Sequence, residues 1–206
     1  MSVNIRITKL MFGAPGNRAL HVCIDMQRLF AEPGEWFTPG LMEIVPAVCR
    51  LVEPHAGRSV FTRFVTPASP EAASGRWRAY YERWRAFTTD VMGGEMLDLV
   101  EPLRRFCPPA AVIDKTAHSA FESPDFVRYL RERDCDTVIL TGVETDVCVL
   151  ATALGAVDRG LRVIVVADAV TSSSPEGHRD SINAVMARFD MQIETARADE
   201  VIAAWC

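Results

Sequence analysis

The chain of 206 residues has no apolar run approaching the roughly 18 residues that cross a bilayer. Its opening stretch, MSVNIRITKLMFGAPGNRAL, lacks the continuous apolar segment of a secretory signal, so the sequence reads as that of a cytoplasmic protein. There is no C-x-x-C pair. The six cysteines, Cys23, Cys49, Cys107, Cys135, Cys148 and Cys206, form no metal-type grouping with the four histidines. Reduced, packed thiols are expected rather than a disulfide framework. Nor does positive charge dominate: 22 lysines and arginines against 27 acidic residues give a formal net charge of -5, and the arginines are scattered, which argues against nucleic acid and an anionic membrane as partners and leaves a small molecule or a protein. With no linker-like stretch and no internal repeat, residues 1–206 read as one domain.

What the chain does have is an alternation of buried strands and helices. ALHVCIDMQ, RSVFTRFV, AAVIDK, DTVILTG, LRVIVVADAV and MQIETA read as six strands, most of them apolar on both faces. Between the first two, Leu41, Ile44, Val45, Val48, Leu51 and Val52 recur at helical spacing. Pro46 is a poor fit to a helix interior, so that helix either starts near Val45 or holds the proline in its first turn. SPDFVRYLRER and SSPEGHRDSINAVMARF both open with Ser-Pro, a helix cap followed by the first helical position. ADEVIAAW reads as a terminal helix. The fold expected is a three-layer α/β/α sandwich around a mostly parallel sheet of about six strands.

In such sheets ligands bind outside the carboxyl ends of the strands. Asp25 closes the first strand, Lys115 closes the third, and Cys148 follows the fourth in TGVETDVCVLATALG. Each has an ordinary alternative: a loop acceptor, a solvated cation, a core thiol. Together at one rim they make a nucleophile, a cation and a proton acceptor. A thiolate at Cys148 would be favoured by Lys115 and by the start of a helix that Thr145 or Asp146 caps, with Gly142 allowing the sharp turn.

The segments DMQRLF, DKTAHSAF and TGVETDVCV, in this order, resemble the isochorismatase-like cysteine hydrolases, whose members include nicotinamidases, N-carbamoylsarcosine amidohydrolases and biuret or ureidoacrylate amidohydrolases. The resemblance runs from about Leu20 to Trp205. It implies a catalytic triad of Asp25, Lys115 and Cys148, a cis Val143–Glu144 peptide bond, and an oxyanion hole made by the backbone N–H groups of Glu144 and Cys148. It implies a homodimer or homotetramer. It places Phe30 and His118 near the substrate. The nicotinamidase branch carries a metal held by aspartate and histidines after the second strand; FTRFVTPASPEAA has no histidine, so no metal and no cofactor is expected.

Trp77, Tyr81 and Trp84 recur at helical spacing among arginines and are either core or interface residues or a lid over the substrate; with Val143 they complete the candidate substrate-binding set. Glu144 either selects a cationic or hydrogen-bond-donating substrate or faces solvent or another subunit. Arg63 either holds a substrate carboxylate or sits in a surface ion pair. His178 reads as structural. The function expected is cysteine-dependent hydrolysis of a C–N bond in a small amide, carbamoyl or ureido compound through a thioester. The alternatives are an isochorismatase-type ether hydrolase, which needs Asp25 but not the thiol, and a non-catalytic member that binds small molecules.

Overall fold

The computed structural model describes residues 5–205. Six strands, β1 (Ala19–Ile24), β2 (Ser59–Phe64), β3 (Ala111–Lys115), β4 (Thr137–Gly142), β5 (Arg162–Val170) and β6 (Ile193–Ala196), lie side by side in the order β3-β2-β1-β4-β5-β6. Every strand pair is parallel. The longer helices are α1 (Leu41–Val52), α2 (Arg76–Arg83), α3 (Pro124–Glu132), α4 (Leu150–Val157), α5 (Pro175–Asp180) and α6 (Ala198–Ala204).

Successive side chains of a strand point to opposite faces, so a strand buried on both sides must be apolar throughout. Cys23 of β1, Ile139 of β4 and Ile164 of β5 face one layer, where Ile44, Val48 and Leu51 of α1 and Val201 of α6 cover them. Val22, Leu140 and Val165, one residue along each strand, face the other layer, against Phe126 and Leu130 of α3 and Ala153 and Ala156 of α4. Each fully buried aliphatic side chain stabilises the fold by roughly 1.5–3 kcal/mol. No described helix is long and apolar enough to cross a membrane. The five cysteines among the described residues are free; Cys206 lies outside them.

The helix around Pro46 differs from both expectations. It starts at Leu41, and Pro46 lies inside it beyond the first turn. Gly40 carbonyl already accepts the N–H groups of Glu43 and Ile44, so the first turn closes before the proline is reached. Burial of Leu41 and Ile44 offsets the one helical bond that the proline removes. Helix α4 runs to Val157 and is closed by Gly160, whose φ is 72°: the Leu161 N–H donates to the Ala156 carbonyl at 3.0 Å and the Gly160 N–H to the Val157 carbonyl at 2.9 Å. Ser123 precedes α3 as expected, but its hydroxyl donates to the Asp114 carbonyl at 3.0 Å; Ser174 does cap α5, accepting from Gly177 N–H at 3.0 Å.

One buried strand residue makes stability depend on acid. His21 of β1 is fully enclosed, with Nδ1 3.2 Å from Ser59 Oγ and Nε2 2.8 Å from Thr141 Oγ1. Burial, reinforced by the distant charge of His55, pulls its pKa down to about 3. The unfolded chain takes a proton on this ring below about pH 6.5, which the folded chain refuses until far lower, so stability falls as pH falls through that window. The expected slope is up to about 1.4 kcal/mol per pH unit between pH 6 and pH 4. Urea unfolding across that range should show a shallower dependence in His21→Gln; equal slopes in the two proteins would remove His21 as the cause.

Candidate active site

Strands β1 and β4 are neighbours at the centre of the sheet, and from them the chain winds outward in opposite directions. A crevice opens at such a reversal, past the strand ends. Asp25 follows β1 directly with φ of 49°, a left-handed conformation that Asp tolerates better than most residues. Its N–H reaches the Thr62 carbonyl of β2 at 3.2 Å. Across the gap, Gly142 ends β4 with φ of 106°, and a Cβ there would collide with the Ile24 carbonyl of β1. Glycine is required because the two strand ends approach so closely. The Val143–Glu144 bond that follows is cis. A single wide turn, Thr145–Val149, then carries Cys148 and runs into α4.

At the bottom of the crevice Asp25 and Lys115 are almost completely enclosed, and Lys115 Nζ lies 2.7 Å from Asp25 Oδ2. Asp25 Oδ1 accepts the Thr62 hydroxyl at 2.7 Å. Oδ2 receives no aligned hydrogen bond beyond its ion contact, which leaves it open to a further proton. The ammonium also donates to the Ala117 carbonyl at 3.0 Å and sits 4.9 Å above the Phe64 ring. Cys148 is 5% exposed, with its sulfur in hydrogen-bonding reach of both Asp25 and Lys115.

Burial alone would discharge Lys115, yet the Asp25 carboxylate and the Cys148 sulfur outweigh it and hold the ammonium above its usual pKa. For Cys148 the balance runs the other way. Burial is the largest influence, Asp25 adds to it, and the opposing pull of Lys115 is too weak, so the thiol lies far above the usual cysteine range. The help that Lys115 was expected to give a thiolate is therefore outweighed by burial. Nor do Thr145 or Asp146 cap the turn. Glu144 occupies the cap position without a side-chain bond there. Thr145 Oγ1 is 2.8 Å from His178 Nδ1, and Asp146 Oδ1 accepts from Ser172 Oγ at 2.6 Å. His178 thus has a structural partner.

Above the sulfur lies a cavity of about 240 Å³. Phe30 and Trp84, both expected there, line it, as does His118, whose Nδ1 is 3.8 Å from Cys148 Sγ. Burial first, and then Lys115, lowers the His118 pKa, so its imidazole is neutral near pH 7. Glu144 lines the cavity too; its Oε1 accepts from Thr38 Oγ1 at 3.1 Å and from Ser173 N–H at 2.9 Å.

Three residues of the expected substrate-binding set are not in this wall. Val143 is fully buried in the core, because its extended neighbour β4 turns it inward. Tyr81 is 2% exposed and packs behind the cavity with its hydroxyl unpartnered. Trp77 lies 5.2 Å from the His118 ring and 6.4 Å from Phe64, but fronts a separate groove beside Val65 and Thr66. Arg63 is drawn into a bidentate surface pair with Asp114, at 2.7 and 2.9 Å, away from the sulfur. Sequence reasoning passed over Trp36, Phe64 and Tyr80 of the wall, and Glu35 at its mouth. It also passed over Thr62, a hydroxyl inside the strand SVFTRFV, and Gln27, whose amide links Phe64 and the Leu97 carbonyl to the end of β1. Among the described residues no group of three His, Cys, Asp or Glu side chains is placed to hold a metal ion.

Fold and site define a doubly wound α/β protein that brings a thiol, a carboxylate and an ammonium together at its switch point. The family model described as Isochorismatase domain matches residues 19–197, and the chain belongs to that family. An uncharacterized isochorismatase family protein, PncA, of Bacillus subtilis (strain 168) is 44% identical over 71 residues, 34% of this chain and 39% of that protein. N-carbamoylsarcosine amidase of Arthrobacter sp is 27% identical over 167 residues, 78% of this chain and 62% of its own length. This chain therefore spans less than two thirds of the length of either relative. The solved isochorismatase family protein of Desulfovibrio vulgaris subsp. vulgaris str. Hildenborough superimposes with a TM-score of 0.76 at 25% identity, covering 91% of this chain and all of that one.

Proposed function

We propose that the protein is a cysteine-dependent amidohydrolase that cleaves the C–N bond of a small amide, carbamoyl or ureido compound through a thioester. The observation that carries this reading is one buried sulfur, lining a cavity, that interacts electrostatically with both members of the buried Asp25–Lys115 pair. An ether hydrolase of the isochorismatase type needs Asp25 as an acid and gives the sulfur no task, so the same arrangement favours the amide. The N-carbamoylsarcosine amidase relative supports the same bond type.

The steps follow from the geometry. Asp25 Oδ2, open to a proton, takes it from Cys148 as the sulfur attacks the substrate carbonyl, so that the thiolate forms only during attack. Lys115 stays charged throughout and keeps the carboxylate oriented. Negative charge growing on the carbonyl oxygen is met by the backbone N–H groups of Glu144 and Cys148. The Val143 and Thr145 amides on either side of Glu144 are already bonded to Ile24 and Thr171 carbonyls at 2.9 Å each, whereas the Glu144 amide has no partner among the described residues. Asp25 then returns its proton to the leaving nitrogen, which departs as ammonia or an amine. Water, deprotonated by Asp25, hydrolyses the thioester, and the sulfur recovers its proton.

Intact-mass analysis of acid-quenched reactions with a panel of small amides, carbamates and ureides is expected to show an acyl adduct on Cys148, together with ammonia release. Ammonia release that survives complete alkylation of Cys148 would exclude the mechanism.

A further inference from the structure

The side chains that line the cavity carry formal charge of one sign and are largely aromatic. Glu144 and Glu35 both line it, and neither forms an ion pair among the described residues. No lysine or arginine lines it, and His118 is neutral near pH 7. The bonds that hold Glu144 Oε1 come from a hydroxyl and a backbone amide, which fix the carboxylate without cancelling its charge. Facing it are aromatic rings: Trp36 lies 6.1 Å from Phe30, 6.0 Å from Tyr80 and 5.9 Å from Trp84. Trp36 is itself locked by a parallel stack on Phe87 at 4.1 Å, so this wall is set before any ligand arrives.

Ring faces carry negative potential, and several of them around a carboxylate attract an organic cation while repelling an anion. The Asp25–Lys115 ion pair, which does not line the cavity, is neutral as a unit and contributes little net field. The cavity, about 240 Å³, is smaller than the 300–1,000 Å³ typical of drug-sized ligands. It therefore takes one small molecule that reaches from the sulfur to the ring wall.

We infer that the substrate is a small amide whose non-reacting end is a cationic ammonium group, held between the Trp36, Tyr80 and Trp84 rings and the Glu144 carboxylate while its carbonyl faces Cys148. This rests on the amidohydrolase reading for the carbonyl end, but the cation site itself does not need turnover to be detected.

The test uses trimethylammonioacetamide, its uncharged carbon isostere tert-butylacetamide, and the anionic malonamate. Calorimetric binding to the Cys148→Ala protein is expected to rank the cation at least about tenfold above the isostere, with malonamate weakest. In Glu144→Gln, which keeps both acceptor bonds of Oε1 and loses only the charge, the cation-to-isostere ratio should fall roughly threefold or more. Ammonia release by the unsubstituted protein should follow the same order. Equal binding of cation and isostere, or tighter binding of malonamate, overturns the inference even if amides are hydrolysed. Tight binding of the cation with no amide hydrolysed and no adduct on Cys148 would sustain the cation site and defeat the amidohydrolase reading instead.

Discussion

Cys148→Ala is expected to lower kcat/KM by about 10,000-fold or more while the protein stays folded. In the proposed mechanism the sulfur forms the bond to the substrate, and Asp25, held by Thr62 and Lys115, does not replace it. Cys148→Ser should do little better, because a hydroxyl in the same enclosed place is harder to deprotonate than a thiol. The cost to stability is small, about 1 kcal/mol, since one sulfur atom leaves a void smaller than a water molecule. Steady-state ammonia release and urea unfolding on the same preparations check both halves. The partner experiment is Asp25→Asn with isochorismate as substrate: ether cleavage lost there and kept in Cys148→Ala would mean that the protein is an ether hydrolase.

The second large effect concerns the ion pair. Lys115→Met keeps the stem that packs on Phe64 but strips the counter-charge from a carboxylate that solvent does not reach. Breaking a buried pair from one side typically costs about 3–5 kcal/mol, because an uncompensated charge stays behind. Against a total stability of about 5–15 kcal/mol this leaves a weakened fold, and turnover should vanish as well. The double variant Asp25→Asn with Lys115→Met removes the stranded charge and should regain most of the lost stability without regaining activity. If the double variant unfolds at the same urea concentration as the single one, the pair does not carry the energy assigned to it.

The sheet and the three reactive positions were readable because both depend on rules of short range. A strand covered on two faces has to be apolar along its whole length, and a charged residue at its end then stands out: Asp25 after ALHVCI is visible for that reason, whereas Lys115 ends the half-exposed edge strand β3 and is marked by its place at the strand end. The rim of the cavity was less legible because helix α2 offered two equivalent stripes. Trp77, Tyr81 and Trp84 are spaced i, i+4, i+7; Trp77, Tyr80 and Trp84 are spaced i, i+3, i+7, and periodicity does not separate them. In the structure Tyr80 faces the cavity and Tyr81 the interior. Trp36 stands in a loop with no period at all, and its place is set by the stack on Phe87 about fifty residues away. The balance of influences on the Cys148 thiol was not legible for a different reason. Lys115 and a helix start were both visible in the sequence, but the depth of burial that outweighs them is a property of the packed molecule.

That depth of burial has an effect outside the catalytic cycle. Peroxide and soft electrophiles react with the anionic form of sulfur and largely ignore the protonated one. On the mechanism proposed above, in which the Cys148 sulfur is ionised only as substrate arrives, the protein is sheltered between turnovers from the oxidants that disable permanently ionised cysteines.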